Sequence, residues 1–297
     1  MLADPDELTS RLNSEKFDVL VIEADFVFEE TIRDSTSLKL IGICRSSTNA
    51  VDIDTATEAG ISVVNAPRRN AQAVAEHALG LMMALARNIP ASHEYTKQGH
   101  WQDPTEPYLS MRGVELGGKT LGIIGLGAIG RHLAKIVTGI GMSVVAYDPY
   151  ASDPPQVVQM SELGKLMSTS DFISVHVPLN SDTDSLVDAG MLSRMKQSSY
   201  LINCSDSAVI ELEPLVGILR DKKIAGAAFD VFETHPIAPD NPLLKLDNVI
   251  LTPHIGGATD ETIERHSRMM TDDIIRFLDG QRPVNLVNPE AWEEHDS

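Results

Sequence analysis

Three glycines, Gly125, Gly127 and Gly130, stand in Gly-x-Gly-x-x-Gly spacing directly after the apolar run 121–124. They precede a segment whose apolar residues, Ile129, Leu133, Ile136, Val137 and Ile140, recur at helical spacing. The pattern predicts a buried strand turning sharply into a helix. Each glycine has its own task there: Gly125 permits the turn, Gly127 lets a ligand approach the main chain, and Gly130 lets helix and strand pack closely. Unpaired N–H groups at the start of such a helix attract an anion. A second apolar strand, 143–147, ends at Asp148, 18 residues beyond Gly130. A carboxylate there can accept hydrogen bonds from both hydroxyls of a ribose and would repel a phosphate on its 2′ oxygen. The same glycines also serve ligand-free strand–helix turns. Strand, helix, second strand and acidic residue together point to a bound dinucleotide, NAD in preference to NADP.

The rest of the chain supplies elements of matching kind. Apolar runs at 121–124, 144–147, 172–175, 200–202, 224–229 and 249–251 are separated by helical or turn segments. Near-continuous apolar strands alternating with helices predict an α/β fold, a doubly wound parallel sheet of Rossmann type covered on both faces. Before it, strands at 17–22, 38–44 and 61–64 and helices at 28–32 and 53–59 form a smaller α/β alternation, of flavodoxin-like kind. A long amphipathic helix at 71–88 carries the chain onward. Another at 260–278 opens on acidic residues, closes at Gly280, and has an apolar set that must bury somewhere. Returning it to the first domain makes that domain discontinuous: residues 1–94 and 264–297, with the nucleotide domain inserted at 95–263. The tail from Asn288 to Ser297 is polar and expected to fray.

A chain of 297 residues exceeds the usual size of a single core, in keeping with two domains. No stretch approaches the roughly 18 uninterrupted apolar residues of a membrane span, and a cytoplasmic protein is expected. The net charge of −19 argues against nucleic acid or an anionic membrane as partner. Cys44 and Cys204 form neither a disulfide framework nor a metal-ligand spacing.

The chain resembles the D-isomer-specific 2-hydroxyacid dehydrogenases over nearly its whole length. The matching segments are Asn65-Ala-Pro67 with Asn70-Ala-Gln-Ala-Val-Ala-Glu-His77, Gly117-Gly-Lys-Thr-Leu-Gly-Ile-Ile-Gly125, Tyr147-Asp-Pro-Tyr150 and His176-Val-Pro-Leu179 with Thr183. Leu201-Ile-Asn203, Phe229-Asp-Val-Phe232 and Thr252-Pro-His-Ile-Gly-Gly-Ala-Thr259 continue the series in order. The resemblance implies an enzyme, a homodimer, that moves a hydride between C4 of the NAD nicotinamide and C2 of a small 2-hydroxy or 2-keto acid. It implies cofactor contacts from Gly125, Gly127, Ala128, Ile129, Gly130, Asp148, Val177, Pro178, Thr183, Cys204, Ser205, Asp230, His254 and Gly256. It places Arg45, Ser46, Ser47 and Asn70 toward the substrate, and it implies no metal.

Family members use a histidine for proton transfer, a glutamate hydrogen-bonded to it, and an arginine that binds the carboxylate and polarises the carbonyl. His254 matches the histidine. Asp206 stands in the arginine position and His235 in the glutamate position. Loss of a transition-state cation commonly removes about 3 to 4 kcal/mol, and a carboxylate there would also repel the substrate's own. One reading is an oxidoreductase with a rearranged site, in which His254 and His235 share a proton, Asp206 orients an imidazole, and Arg45, Arg68 or Arg69 supplies the cation. Another is a pseudoenzyme that binds NAD as a sensor or regulator. A third makes His235, His254 and Asp206 ligands of a divalent metal. Ser46 and Ser47 replace the small flexible residues usual in their loop, and only an acidic lead-in, Asp4 to Ser14, precedes the first strand, which predicts a shortened first sheet. Cys204 is expected to be a packing residue.

Overall fold

The computed structural model describes residues 4–23 and 25–293. It divides by packing into two units, one formed by the chain up to Arg69 together with the chain from Ala258, the other by Asn70–Gly257. The second unit is thus inserted into the first, with crossings at 69 and 257 rather than near 94 and 263.

In chain order the first unit contributes α1 (Pro5–Glu15), β1 (Val19–Ile22), α2 (Glu29–Asp34), β2 (Leu40–Ile43), α3 (Ile53–Glu58) and β3 (Ser62–Asn65). The second contributes α4 (Ala71–Ala86), α5 (Ile89–Lys97), α6 (Glu106–Ser110), β4 (Thr120–Ile124), α7 (Ala128–Gly139), β5 (Ser143–Tyr147), β6 (Val158–Met160), α8 (Leu163–Thr169), β7 (Phe172–Val175), α9 (Ala189–Leu192), β8 (Tyr200–Asn203), α10 (Leu212–Arg220), β9 (Gly226–Phe229) and β10 (Val249–Leu251). The first unit is completed by α11 (Asp260–Leu278) and α12 (Pro289–Glu293).

Seven parallel strands in the order β10-β9-β8-β7-β4-β5-β6 make the sheet of the second unit. The order reverses between β4 and β7, and in open α/β sheets ligands bind outside the carboxyl ends of the strands at such a switch point. Side chains alternate across the pleat, so Leu121, Ile123 and Phe172 join one core with Leu81, Met82 and Leu85 of α4 and Leu133 and Val137 of α7. Ile124, Ile173 and Val175 face the other core, with Leu166 of α8 and Leu215 and Leu219 of α10. Helices therefore cover both faces, as doubly wound architecture requires.

The first unit holds a three-stranded parallel sheet, β1-β2-β3, among the described residues. One face packs Ile41, Ile43 and Val63 with Leu12, Ile32 and Ala56. On the other, Leu40, Val64 and Ala66 meet Met270, Ile274 and Phe277 of α11.

Two expectations change. The acidic lead-in is a helix: Asp4 caps α1 by accepting from the Asp6 and Glu7 amides, with Pro5 at its first position. The tail is ordered as far as it is described. Asn288 is buried and bonds to Val63 N, Thr57 Oγ1 and Ile61 O, while Ala291 and Trp292 of α12 are buried. Residues 294–297 lie outside the described residues.

Candidate active site

In the second unit β4 ends in the glycine turn. Gly125 takes φ 94°, and a Cβ there would stand 2.6 Å from the His176 carbonyl oxygen. A Cβ on Gly130 would stand 2.3 Å from the Gly125 carbonyl oxygen. Gly127 differs, with open space where its side chain would be. It also begins α7 without any side-chain cap, leaving the helix N–H groups to a ligand. Pairing of Ile124 with Tyr147 brings Asp148 abreast of the turn, where its carboxylate accepts from Leu126 N at 2.8 Å and Tyr150 N at 2.9 Å. An uncapped helix start, a side-chain-free approach at Gly127 and a carboxylate fixed beside them fit a dinucleotide.

The loops after β9 and β10 bring the histidines together. His254 Nδ1 lies 2.9 Å from His235 Nε2, with ring centroids 4.9 Å apart. His254 holds a left-handed φ of 56°, which costs a non-glycine residue of order 1 kcal/mol and persists only where neighbours enforce it. The enforcing group is Asp230. Its Oδ1 accepts from Thr252 Oγ1 at 2.6 Å and Ile255 N at 2.9 Å, and its Oδ2 from Gly256 N at 2.7 Å, bracketing His254 on both sides. His77 of α4 places Nε2 3.1 Å from Thr252 Oγ1 and 3.4 Å from Asp230 Oδ1. Burial pushes the Asp230 carboxyl up, but His77, Thr252 and the two amides outweigh it and bring it down to about 2. His77 and Thr252 both stand inside matching segments, yet residue type alone assigns them no task.

Asp206 has another occupation. Its carboxylate accepts from Ala208 N at 3.0 Å, capping the short 3-10 turn Ser207–Val209. Among the described residues no group of three His, Cys, Asp or Glu side chains is placed to hold a metal ion, so two imidazoles and Asp206 do not assemble as ligands. Asn203 steadies the same loop, donating to the Asp206 carbonyl and accepting from Ser205 N and Oγ. Cys204 is buried; burial and then the Asp230 charge push its thiol up to about 12, the state of a packing residue. Thr183 Oγ1 donates to the Pro178 carbonyl at 2.6 Å and accepts from Asn180 N at 2.9 Å, shaping the loop that follows β7 and contains Val177.

In the first unit Ser46 stitches two loops: its hydroxyl accepts from Arg68 N at 3.1 Å and donates to the Ala66 carbonyl, and its own carbonyl accepts from Asn65 Nδ2. Ser47 Oγ accepts from Asn49 N within its turn, and Arg45 is exposed. Asn70 belongs to the second unit, where its carbonyl accepts from Val74 N at the start of α4.

Residues 79–256 match the model of the D-isomer-specific 2-hydroxyacid dehydrogenase NAD-binding domain. The chain belongs to that family. It is 37% identical over 285 residues to a D-3-phosphoglycerate dehydrogenase of Archaeoglobus fulgidus, covering 95% of this chain and 53% of that protein. A glyoxylate reductase of Korarchaeum cryptofilum is 36% identical over 270 residues, covering 90% of this chain and 81% of that one. The TT0316 protein of Thermus thermophilus superposes with a TM-score of 0.87 at 31% identity, covering 97% and 90% of the two chains. The chain spans about half the length of the archaeal phosphoglycerate dehydrogenases it matches.

Proposed function

We propose that the chain is an NAD-dependent oxidoreductase acting on a small 2-hydroxy or 2-keto acid, with the His254–His235 pair handling the proton. The observation that carries this is the 2.9 Å approach of His254 Nδ1 to His235 Nε2. Bound NAD supplies the hydride acceptor, and NADH the donor, at nicotinamide C4. With Nδ1 turned to His235, the proton exchanged with the substrate oxygen is assigned to Nε2 of His254. His235 holds the imidazole in that orientation, and Asp230 with His77 and Thr252 holds the turn that presents it. A histidine–glutamate pair carrying one extra proton is neutral, whereas a histidine–histidine pair carrying it has a net charge of +1. That charge, beside an oxygen becoming an alkoxide, offsets part of what an arginine at 206 would contribute.

The same reading gives NAD to the inserted unit, with Asp148 on the ribose, and the acid to the first unit, with a homodimer in the cytoplasm as the working form. A second reading, NAD binding without turnover, is favoured by the carboxylate at 206. One experiment separates the two. Purified protein is mixed with NADH and glyoxylate, hydroxypyruvate, pyruvate and 4-methyl-2-oxopentanoate, and nicotinamide absorbance is followed. The expected result is oxidation with at least one acid, falling by a factor of about 10² or more in His254→Ala while NADH binding persists. Bound NADH with no oxidation would establish the second reading.

A further inference from the structure

At the carboxyl ends of the first unit's strands, Glu23 follows β1, the 44–47 turn follows β2 and the 66–69 turn follows β3, while α11 adds Arg265 and His266. Arg69 is at the centre, its side chain only 14% exposed. Its Nη1 lies 2.8 Å from His266 Nδ1 and 3.7 Å from Glu23 Oε1, and its carbonyl accepts from Arg265 Nη1. A guanidinium only donates, so His266 Nδ1 must be the acceptor and its ring proton sits on Nε2. Burial, and after it the Arg69 charge, hold His266 below the ordinary histidine range, which agrees with a neutral ring. Glu23 is half exposed and beyond hydrogen-bond distance, a loose counter-ion. Nε and Nη2 of Arg69 have no protein acceptor among the described residues.

The charge balance is unusual for this protein. Around Arg69 stand two further cations, Arg45 within coulombic reach and Arg265 on its carbonyl, with the Glu23 carboxylate 3.7 Å away, in a chain of net charge −19. Arg69 feels burial first; Glu23 pulls against it, and Arg45 is near enough to repel. A largely buried cation whose nearest carboxylate is half exposed and 3.7 Å away is only partly compensated, and a bound anion reduces the remaining cost. Strand carboxyl ends are also where open α/β sheets take ligands.

We propose that this edge of the three-stranded sheet binds a small carboxylate, Arg69 supplying the guanidinium fork and Arg45 a second cation. Carboxylate binding stands on the geometry alone; that the carboxylate belongs to the substrate rests on the dehydrogenase reading. The chain then carries a carboxylate anchor of its own despite Asp206.

The test is titration of the full chain with oxalate by calorimetry, at low salt and without nucleotide. Binding of one oxalate per chain is expected. Arg69→Gln should weaken it roughly tenfold or more, the loss expected of a charge-assisted hydrogen bond, and Arg69→Lys should fall between. Glu23→Gln, an exposed change that preserves shape, should tighten oxalate several-fold by removing the competing carboxylate. No oxalate heat, or the same affinity in Arg69→Gln and Glu23→Gln as in the parent, overturns the proposal. Oxalate binding without any NADH oxidation would instead refute the dehydrogenase reading and leave this site standing.

Discussion

The 2.9 Å contact between His254 Nδ1 and His235 Nε2 pairs the histidine proposed for proton transfer with a second imidazole, a partner that brings no fixed negative charge of its own. Replacing both departures together, Asp206→Arg with His235→Glu, puts a carboxylate beside His254 Nδ1 and a guanidinium at the position proposed to match the family's arginine. Reduction of 2-keto acids should rise at least tenfold in steady-state assays. An unchanged rate would mean that positions 206 and 235 do not stand where the family's arginine and glutamate stand. The double change also removes the cap on Ala208 N, so about 1 kcal/mol of stability should be lost in denaturant unfolding. The order of short segments led to the expectation that His254 and His235 are neighbours, and their rings do meet, whereas Asp206 caps a turn. Asp230 was expected only as a cofactor contact. Its bracketing of residues 252 to 256, with His77 reaching it from α4, depends on a strand and a helix separated by about 150 residues of chain, which no spacing rule encodes.

At the level of elements, the turn from β4 into α7 carries two glycines of opposite character. Gly127→Ala meets nothing in the protein, whereas Gly130→Ala drives a methyl to 2.3 Å from the Gly125 carbonyl oxygen. The first should keep its melting temperature and lose NADH affinity, read by nicotinamide fluorescence. The second should lose both. Beside this turn, His176 is buried, with Nε2 on Ser174 Oγ at 2.8 Å and Nδ1 without a partner among the described residues. Burial lowers its pKa to about 4 against 6.5 for the unperturbed group. The folded state therefore binds fewer protons than the unfolded state between those values. Stability from this group is complete above pH 6.5 and is lost as pH falls toward 4, a change on the order of 3 kcal/mol. His176→Asn should flatten that part of the acid limb in pH-dependent urea unfolding; an unaltered limb would assign the loss elsewhere. Long apolar strands and the helix at 260–278 were readable from periodicity. β6 was not, being three residues of which only Val158 is buried, and α1 was taken for a lead-in although Asp4 and Pro5 are ordinary helix-start residues.

Over the whole molecule, 43 acidic against 24 basic residues make self-repulsion a standing cost of compactness. At 1 M salt the screening length falls to about 3 Å, so the melting temperature should climb by several degrees between dilute buffer and 1 M KCl. A flat or falling curve would show that the acidic groups are already balanced locally. Two domains, one inserted in the other, were expected from length and from the stranded apolar helix at 260–278. The expected boundary near 94 differs from the packing boundary at 69 because α4 reads as a connector yet packs into the second unit's core. That insertion also sets an order of events during synthesis. The inserted unit is one continuous stretch and can close as soon as it has emerged. The face of β2 and β3 that buries Leu40 and Val64 waits for Met270 and Phe277, made only after residues 70–257. At about 5 to 20 residues per second the wait is on the order of ten to forty seconds. Throughout it, a finished nucleotide-binding unit is tethered to a sheet with one face uncovered, and the nascent chain is most exposed to aggregation and most in need of a chaperone.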